Sequence, residues 1–193
     1  MTSFNLDVAV KNQDANTVFT IGHSTRPFNQ FLELLEIFRI EMVADVRTIP
    51  KSRHNPQFNI DVLKGGLETN GFGYIHMAGL GGLRHARKDS MNTGWKNLSF
   101  RGYADYMQTL DFENSLEQLI NVAKEKVTVI MCAEAVPWRC HRSLIGDALL
   151  IRGFEVEDII SDKINEPHKL TLWAKVDEGT ITYPGGVSRS NEL

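Results

Sequence analysis

Cysteine is nearly absent, with two residues in a chain of 193, Cys132 and Cys140. That excludes a disulfide-stapled scaffold and makes a reducing, cytoplasmic setting the expectation. No apolar run approaches the ~20 residues of a membrane helix, so no membrane partner is expected. The first turns of the chain lack a basic stretch followed by an apolar one, so no secretory signal is expected. Neither sign of charge dominates. The 21 Lys+Arg against 24 Asp+Glu leave a formal net charge of -3, which argues against strong nonspecific nucleic-acid binding but leaves room for a local basic patch. Repeats and low-complexity stretches are missing, and disorder, collagen and coiled coil are excluded for most of the chain.

What is present fits one α/β domain. A chain of this length buries roughly 70% of its unfolded surface and needs no staples. Residues 1–16 and 184–193 carry little periodicity and are expected to be flexible ends flanking a domain over 17–183. Within it, short β runs alternate with helical patterns. Thr17 to Gly22 reads as a strand, and Pro27 opens a helix carrying Phe28, Phe31, Leu32, Leu35 and Phe38 at helical spacing. Strands are expected at Met42–Val46, Phe72–His76, Val127–Cys132 and Phe154–Ile160, the fourth apolar throughout and so buried on both faces. Helices are expected over 59–69, 103–110, 112–124, Pro137–Arg152 and 167–176, with a short strand over 179–183. This pattern predicts a single domain with a mainly parallel five-stranded sheet flanked by helices, in Rossmann-like or flavodoxin-like layering.

Ligands of such sheets sit beyond the carboxyl ends of the strands, so the strand map is also a site map. His23 and Ser24 follow the first strand. Asp45, Arg47, Ser52 and Arg53 end or follow the second. His76 and then Gly79, Gly81, Gly82 and Arg84 follow the third, and Cys132 and Glu134 close the fourth. Four of the six histidines fall there. A positive, glycine-containing rim facing helix N-termini suits an anion, most plausibly phosphate. Plainer readings stand beside this one: Ser24 or Thr25 as a helix N-cap, Asp45 and Arg47 as an ion pair bracing a loop, and residues 79–97 as either a mobile cover or a fixed loop. Gly79-Leu80-Gly81-Gly82-Leu83-Arg84 lacks Walker spacing, and no cofactor motif is present.

Met131 to Arg142 is the sharpest segment. Cys132 sits where a buried strand meets a loop, five residues before an expected helix start, with Arg139, His141 and Arg142 following. These surroundings favour a thiolate. The layout resembles that of phosphatases and rhodaneses, although six residues separate Cys132 from Arg139 where that cradle uses five. A small apolar strand residue is the plain alternative. Cys140 shares a helical face with Leu144, Ala148 and Ile151 and is expected to be a structural core residue. A zinc site would need Cys132, Cys140, His141 and a further histidine, and the spacing matches no standard zinc pattern, so no metal centre is expected.

Several of these segments together resemble the DUF488 family. The carriers are Thr20-Ile21-Gly22-His23-Ser24, Asp45-Val46-Arg47 with Pro50, Ser52, Arg53, Pro56 and Phe58, Tyr74, and Leu80-Gly81-Gly82 with Arg84. They continue in Phe100, Gly102 to Met107, Met131-Cys132-Ala133-Glu134, Pro137 and Cys140-His141-Arg142. The resemblance runs from about Thr20 to Ile160 and more loosely to Tyr183. It implies an α/β fold and, because the matched positions are heavily polar, a shared pocket.

Two functions of different class follow. The first is an enzyme with an anionic substrate, phosphate-bearing, nucleotide or nucleic acid. In it Cys132 is the nucleophile or Glu134 and His23 form an acid/base pair. Asp45 orients its neighbours, and Ser24, Arg47, Ser52, Arg53, Arg84, His141 and Arg142 bind substrate. A variant uses Asp45 and Glu134 to hold a divalent ion against phosphate. The second is a non-catalytic nucleotide or nucleic-acid binding module with the same rim, its bases stacking on Trp95, Phe100 and Tyr103. Both expect His23, Arg47 and Cys132 to face one cavity.

Overall fold

A computed structural model describes residues 16–186. Residues 1–15 and 187–193, on which most of the expected flexible ends fall, lie outside them. The strands of the main sheet are β1 (Thr17–Gly22), β2 (Met42–Asp45), β3 (Gly73–His76), β4 (Thr128–Cys132), β5 (Glu155–Ile159) and β6 (Asn165–Pro167). The helices are α1 (Phe28–Ile37), α2 (Ile60–Thr69), α3 (Leu98–Tyr106), α4 (Leu110–Glu125) and α5 (Arg142–Leu150). A two-stranded hairpin of β7 (Lys175–Asp177) and β8 (Thr180–Thr182) follows. The main sheet runs β3-β2-β4-β1-β5-β6. Its first five members are parallel and β6 is antiparallel to β5.

This order explains the layering. The chain moves one way across the sheet from β1 to β3 and returns the other way through β4 to β5. Right-handed crossovers then put the two sets of helices on opposite faces. Two apolar clusters match. Phe31, Leu34 and Leu35 of α1 and Leu63 and Leu67 of α2 pack with Ile21, Val43, Val129 and Met131. Tyr103, Phe112, Leu116 and Leu144 of α3, α4 and α5 pack with Val18, Ala44, Ile130 and Cys132. Strand β4 lies in mid-sheet with every residue buried, as its unbroken apolar run requires. No helix among the described residues is long and apolar enough to cross a membrane.

The helix expected over 103–110 forms over Leu98–Tyr106 instead, and three further elements differ from expectation. The sheet has a sixth strand, β6, whose three residues end in Pro167; a short edge ending in proline resists further pairing. The helix expected over 167–176 does not form. Asp147 binds this segment instead, accepting from His168 Nε2 and from the Thr171 N–H. The chain then turns through Glu178 (φ 44°) and Gly179 (φ 82°), two left-handed residues that close a tight hairpin. The helix expected from Pro137 to Arg152 is broken. A single 3-10 turn covers Pro137–Arg139, Cys140 is extended (φ -129°, ψ 145°), and α5 begins at Arg142.

Candidate functional site: a split cluster at the strand ends

The turn after β1 is locked to the turn after β4. The His23 N–H donates to Cys132 O at 2.9 Å and the Ser24 N–H to Ala133 O at 3.0 Å. The contact is close enough to require glycine, since a Cβ on Gly22 would stand 1.9 Å from Glu134 O. Ser24 adopts a left-handed φ of 48°, which is uncommon without glycine. No side chain caps α1, whose N-cap position is Pro27, so neither Ser24 nor Thr25 serves as the N-cap.

Two polar clusters flank the ends of the central strands, one on each face. Register separates them: Asp45 pairs with Met131, so its side chain takes the face opposite to that of Cys132. On the α1/α2 face, buried Asp45 accepts from Arg47 Nε (2.8 Å) and Nη2 and from the Tyr74 hydroxyl (2.9 Å). Arg47 Nη1 bonds His23 Nε2 at 3.2 Å, and His23 Nδ1 bonds Ser24 O at 2.8 Å. The only consistent tautomer has Nδ1–H donating and Nε2 accepting. Burial lowers the His23 pKa to about 4, and the Arg47 charge adds to that against the bond to Ser24. The ring, stacked 4.1 Å from Phe58, is therefore neutral.

On the α5 face lie Cys132, Cys140, His141 and Arg142. The thiol of Cys132 is lowered to about 7. The Cys140 thiol, the Arg142 charge and the N–H groups of Glu134 and Ala133 favour the thiolate and outweigh burial. Cys140 is pushed up by its bond to Cys132 and by burial. Arg142 is 1% exposed and donates to Glu134 O (2.7 Å), while its Nε has no partner. Ligand atoms of Cys132, Cys140 and His141 all lie within 4.8 Å of one another.

The expectation that His23, Arg47 and Cys132 face one cavity is thus corrected. Strand alternation sends Asp45 and Cys132 to opposite faces, and the clusters approach each other beyond the carboxyl ends of β1 and β4, where the Arg142 charge acts on both His23 and Cys132. The other expected residues are more dispersed. Ser52 Oγ accepts from the Asn55 N–H within its own loop, and Arg53 is exposed. Glu134 is exposed, its carboxylate accepting from the Ala135 N–H. The Arg84 guanidinium lies 3.5 Å over the Tyr106 ring and donates to Gly81 O and Gly79 O. Around it residues 79–97 form a bonded loop. Buried Asp105 accepts from the Arg87 N–H, Ser90 Oγ and Asn92 Nδ2.

The aromatics considered for base stacking face inward. Trp95 packs on Phe100, Trp173 and Tyr183, and Tyr103 is fully buried. A cavity of about 220 Å³, lined by Met107, Phe112, Ala148, Arg152 and Ile181 among others, touches none of the expected site residues. Sequence reasoning missed Cys140 as a member of the cluster. The usable signal was its place in Cys140-His141-Arg142, three chemically active side chains in a row.

The fold and the cluster define a doubly wound α/β protein with two buried cysteines and a histidine gathered at the carboxyl end of its central strand. Residues 27–149 match the family described as a domain of unknown function, DUF488, and the chain belongs to that family. No curated protein and no solved structure matches it.

Proposed function

We propose that the protein is a thiol-dependent enzyme in which Cys132 is the nucleophile and the substrate is anionic, a phosphate-bearing group being the best fit. The observation that carries this reading is the placing of the Cys132 thiol at the end of β4, beside the buried Arg142 guanidinium and the Ala133 and Glu134 N–H groups, which lower it from the ordinary thiol value. The Cys132 thiolate would bond to the phosphorus of the substrate as the bond to the leaving-group oxygen breaks, that oxygen taking a proton from solvent, and water would then cleave the S–P bond to free the thiolate. The Ala133 and Glu134 N–H groups, the Arg142 charge and the N-terminus of α5 would then stabilise negative charge on the group being transferred. Exposed Arg53 and Arg139 supply further positive charge outside the buried cluster.

The Glu134/His23 alternative has less support. Both His23 nitrogens are engaged and the ring is neutral, so it is poorly placed to accept a proton. The non-catalytic alternative loses its stacking platform, because the aromatics it needs are packed inward.

Iodoacetamide alkylation across pH, with the modified residue located by mass spectrometry, tests the proposal on metal-free protein. Cys132 is expected to react with an apparent pKa near 7, Cys140 to stay inert, and inorganic phosphate or vanadate to slow the reaction. A Cys132 that alkylates only above pH ~8.5, like a free thiol, would overturn the nucleophile. Alkylation indifferent to both anions would overturn the anionic substrate.

A further inference from the structure

The break before α5 is what gathers three soft or borderline ligands. Had the helix run on from Pro137, Cys140 would have continued its apolar stripe. With Cys140 extended and His141 next to it, both side chains meet Cys132 at the end of β4. We propose that Cys132, Cys140 and His141 form a binding site for a thiophilic divalent cation of the zinc class, with a fourth coordination position open to an exchangeable ligand.

Three features of the geometry support it. First, one donor pair already stands at metal-ligand spacing, and all three donor atoms lie within 4.8 Å of one another. Tetrahedral zinc with Zn–S of ~2.3 Å and Zn–N of ~2.0 Å places neighbouring donors roughly 3.5–3.8 Å apart; Cys140 Sγ and His141 Nδ1 are 3.7 Å apart. Second, the tautomer of His141 is set. Its Nε2–H donates to Val46 O at 3.1 Å, which leaves the Nδ1 lone pair on the side of the Cys140 sulfur. Metal-binding histidines commonly hold their second nitrogen on a backbone carbonyl in this way. Third, the next residue, Arg142, carries a buried Nε–H with no partner. Buried donors are rarely left unpaired, and a metal-bound thiolate or exchangeable ligand would accept from it. Two sulfurs and an imidazole select zinc-class ions over magnesium or calcium, and three protein ligands is the number found where zinc keeps an open position.

Binding would form two metal–sulfur bonds and one metal–nitrogen bond and release the thiol protons to solvent. The ion and an electrophile would compete for Cys132 Sγ, so the metal-loaded protein is a masked form of the proposed enzyme. This goes beyond the nucleophile reading and does not depend on it.

The test is titration of chelator-treated, reduced protein with Co2+ as an optical probe. The expected result is one equivalent bound, with a thiolate-to-cobalt charge-transfer band, tetrahedral d–d bands, and loss of both on adding Zn2+. Cys140→Ser and His141→Gln should each weaken binding tenfold or more. If these variants misfold, the unmodified chain still decides, because one equivalent of Zn2+ should protect Cys132 from alkylation. Absence of the charge-transfer band, or a band indifferent to both substitutions in folded protein, overturns the site. A reactive metal-free Cys132 without a cobalt band leaves the nucleophile standing and removes the metal. A cobalt band with an unreactive metal-free Cys132 does the reverse.

Discussion

Arg142 Nη1 donates to the carbonyl oxygen of Glu134 across 2.7 Å, and this bond ties the first residue of α5 to the loop that leaves Cys132. The same guanidinium reaches Ala135 O at 3.4 Å. A fully buried cation thus shapes the loop whose N–H groups face the thiol, and it also favours the thiolate through space.

Arg142→Met keeps much of the side-chain volume and removes the charge. The apparent pKa of Cys132 in an alkylation profile should rise from about 7 towards the value of a free thiol. Denaturant unfolding should show a loss of about 1–3 kcal/mol, since Glu134 O and Ala135 O lose their donor. An unchanged alkylation profile would mean that Cys140 and the backbone N–H groups activate Cys132 without the arginine.

Gly22→Ala should be far more damaging than a usual strand substitution. The new Cβ would overlap Glu134 O at 1.9 Å, and backbone has little room to move. A loss of roughly 1–3 kcal/mol, or more, is expected for overpacking of this kind. Cys132 should also lose its low-pH reactivity, because the displaced loop carries its N–H donors. Wild-type stability in the variant would show that the two turns are not in contact.

His168 should make stability depend on pH. Burial lowers its pKa, but its bonds to Asp147 and Asp158 outweigh that and raise it to about 9 from 6.5. The group is protonated in the folded state well above the pH at which it loses its proton unfolded. Its contribution is therefore complete below pH 6.5 and is lost as pH rises through about 9. Cys132 acts oppositely over the same range: its folded value is lowered, so its contribution is present at high pH and lost as pH falls through about 7. The comparison is best made in a Cys132→Ala background. There, unfolding free energy should drop by a few kcal/mol between pH 6.5 and 9.5, by the usual conversion of about 1.4 kcal/mol per pKa unit. His168→Gln should flatten that slope, and an equal slope in both proteins would show that His168 is not the titrating group.

Asp105→Ala should free residues 79–97. Three donors from this segment converge on the Asp105 carboxylate, and Arg87 and Lys88 are exposed cleavage sites for trypsin. The wild-type loop should resist limited digestion and the variant should be cut quickly at these positions. Fast cleavage of the wild type, slowed by added phosphate, would instead restore the reading of this segment as a closing cover.

Much of the architecture was legible in the residues. The β runs ending at Gly22 and Cys132 and the apolar stripe holding Phe31 and Leu35 are local patterns, and local patterns survive into the fold. The hairpin was half legible. Its second strand was read over 179–183, but residues 167–176 have a helical pattern that the ties of His168 and Thr171 to Asp147 override. Those bonds span more than twenty residues, and no periodicity encodes them.

For the site, sequence alone placed these groups after the carboxyl ends of the strands, because strand ends follow from the alternation of β and helical segments. Only the tertiary structure decided how those groups are divided. Asp45 and Cys132 both end strands, but which face each takes depends on the register between β2 and β4, set by the whole sheet. Cys140 carried a core pattern until the chain left helical geometry at that residue. Cys140 stays buried in the core beside Leu144, and the break turns a second sulfur and an imidazole towards Cys132, a choice made by packing at the carboxyl end of the sheet and invisible to spacing along the chain.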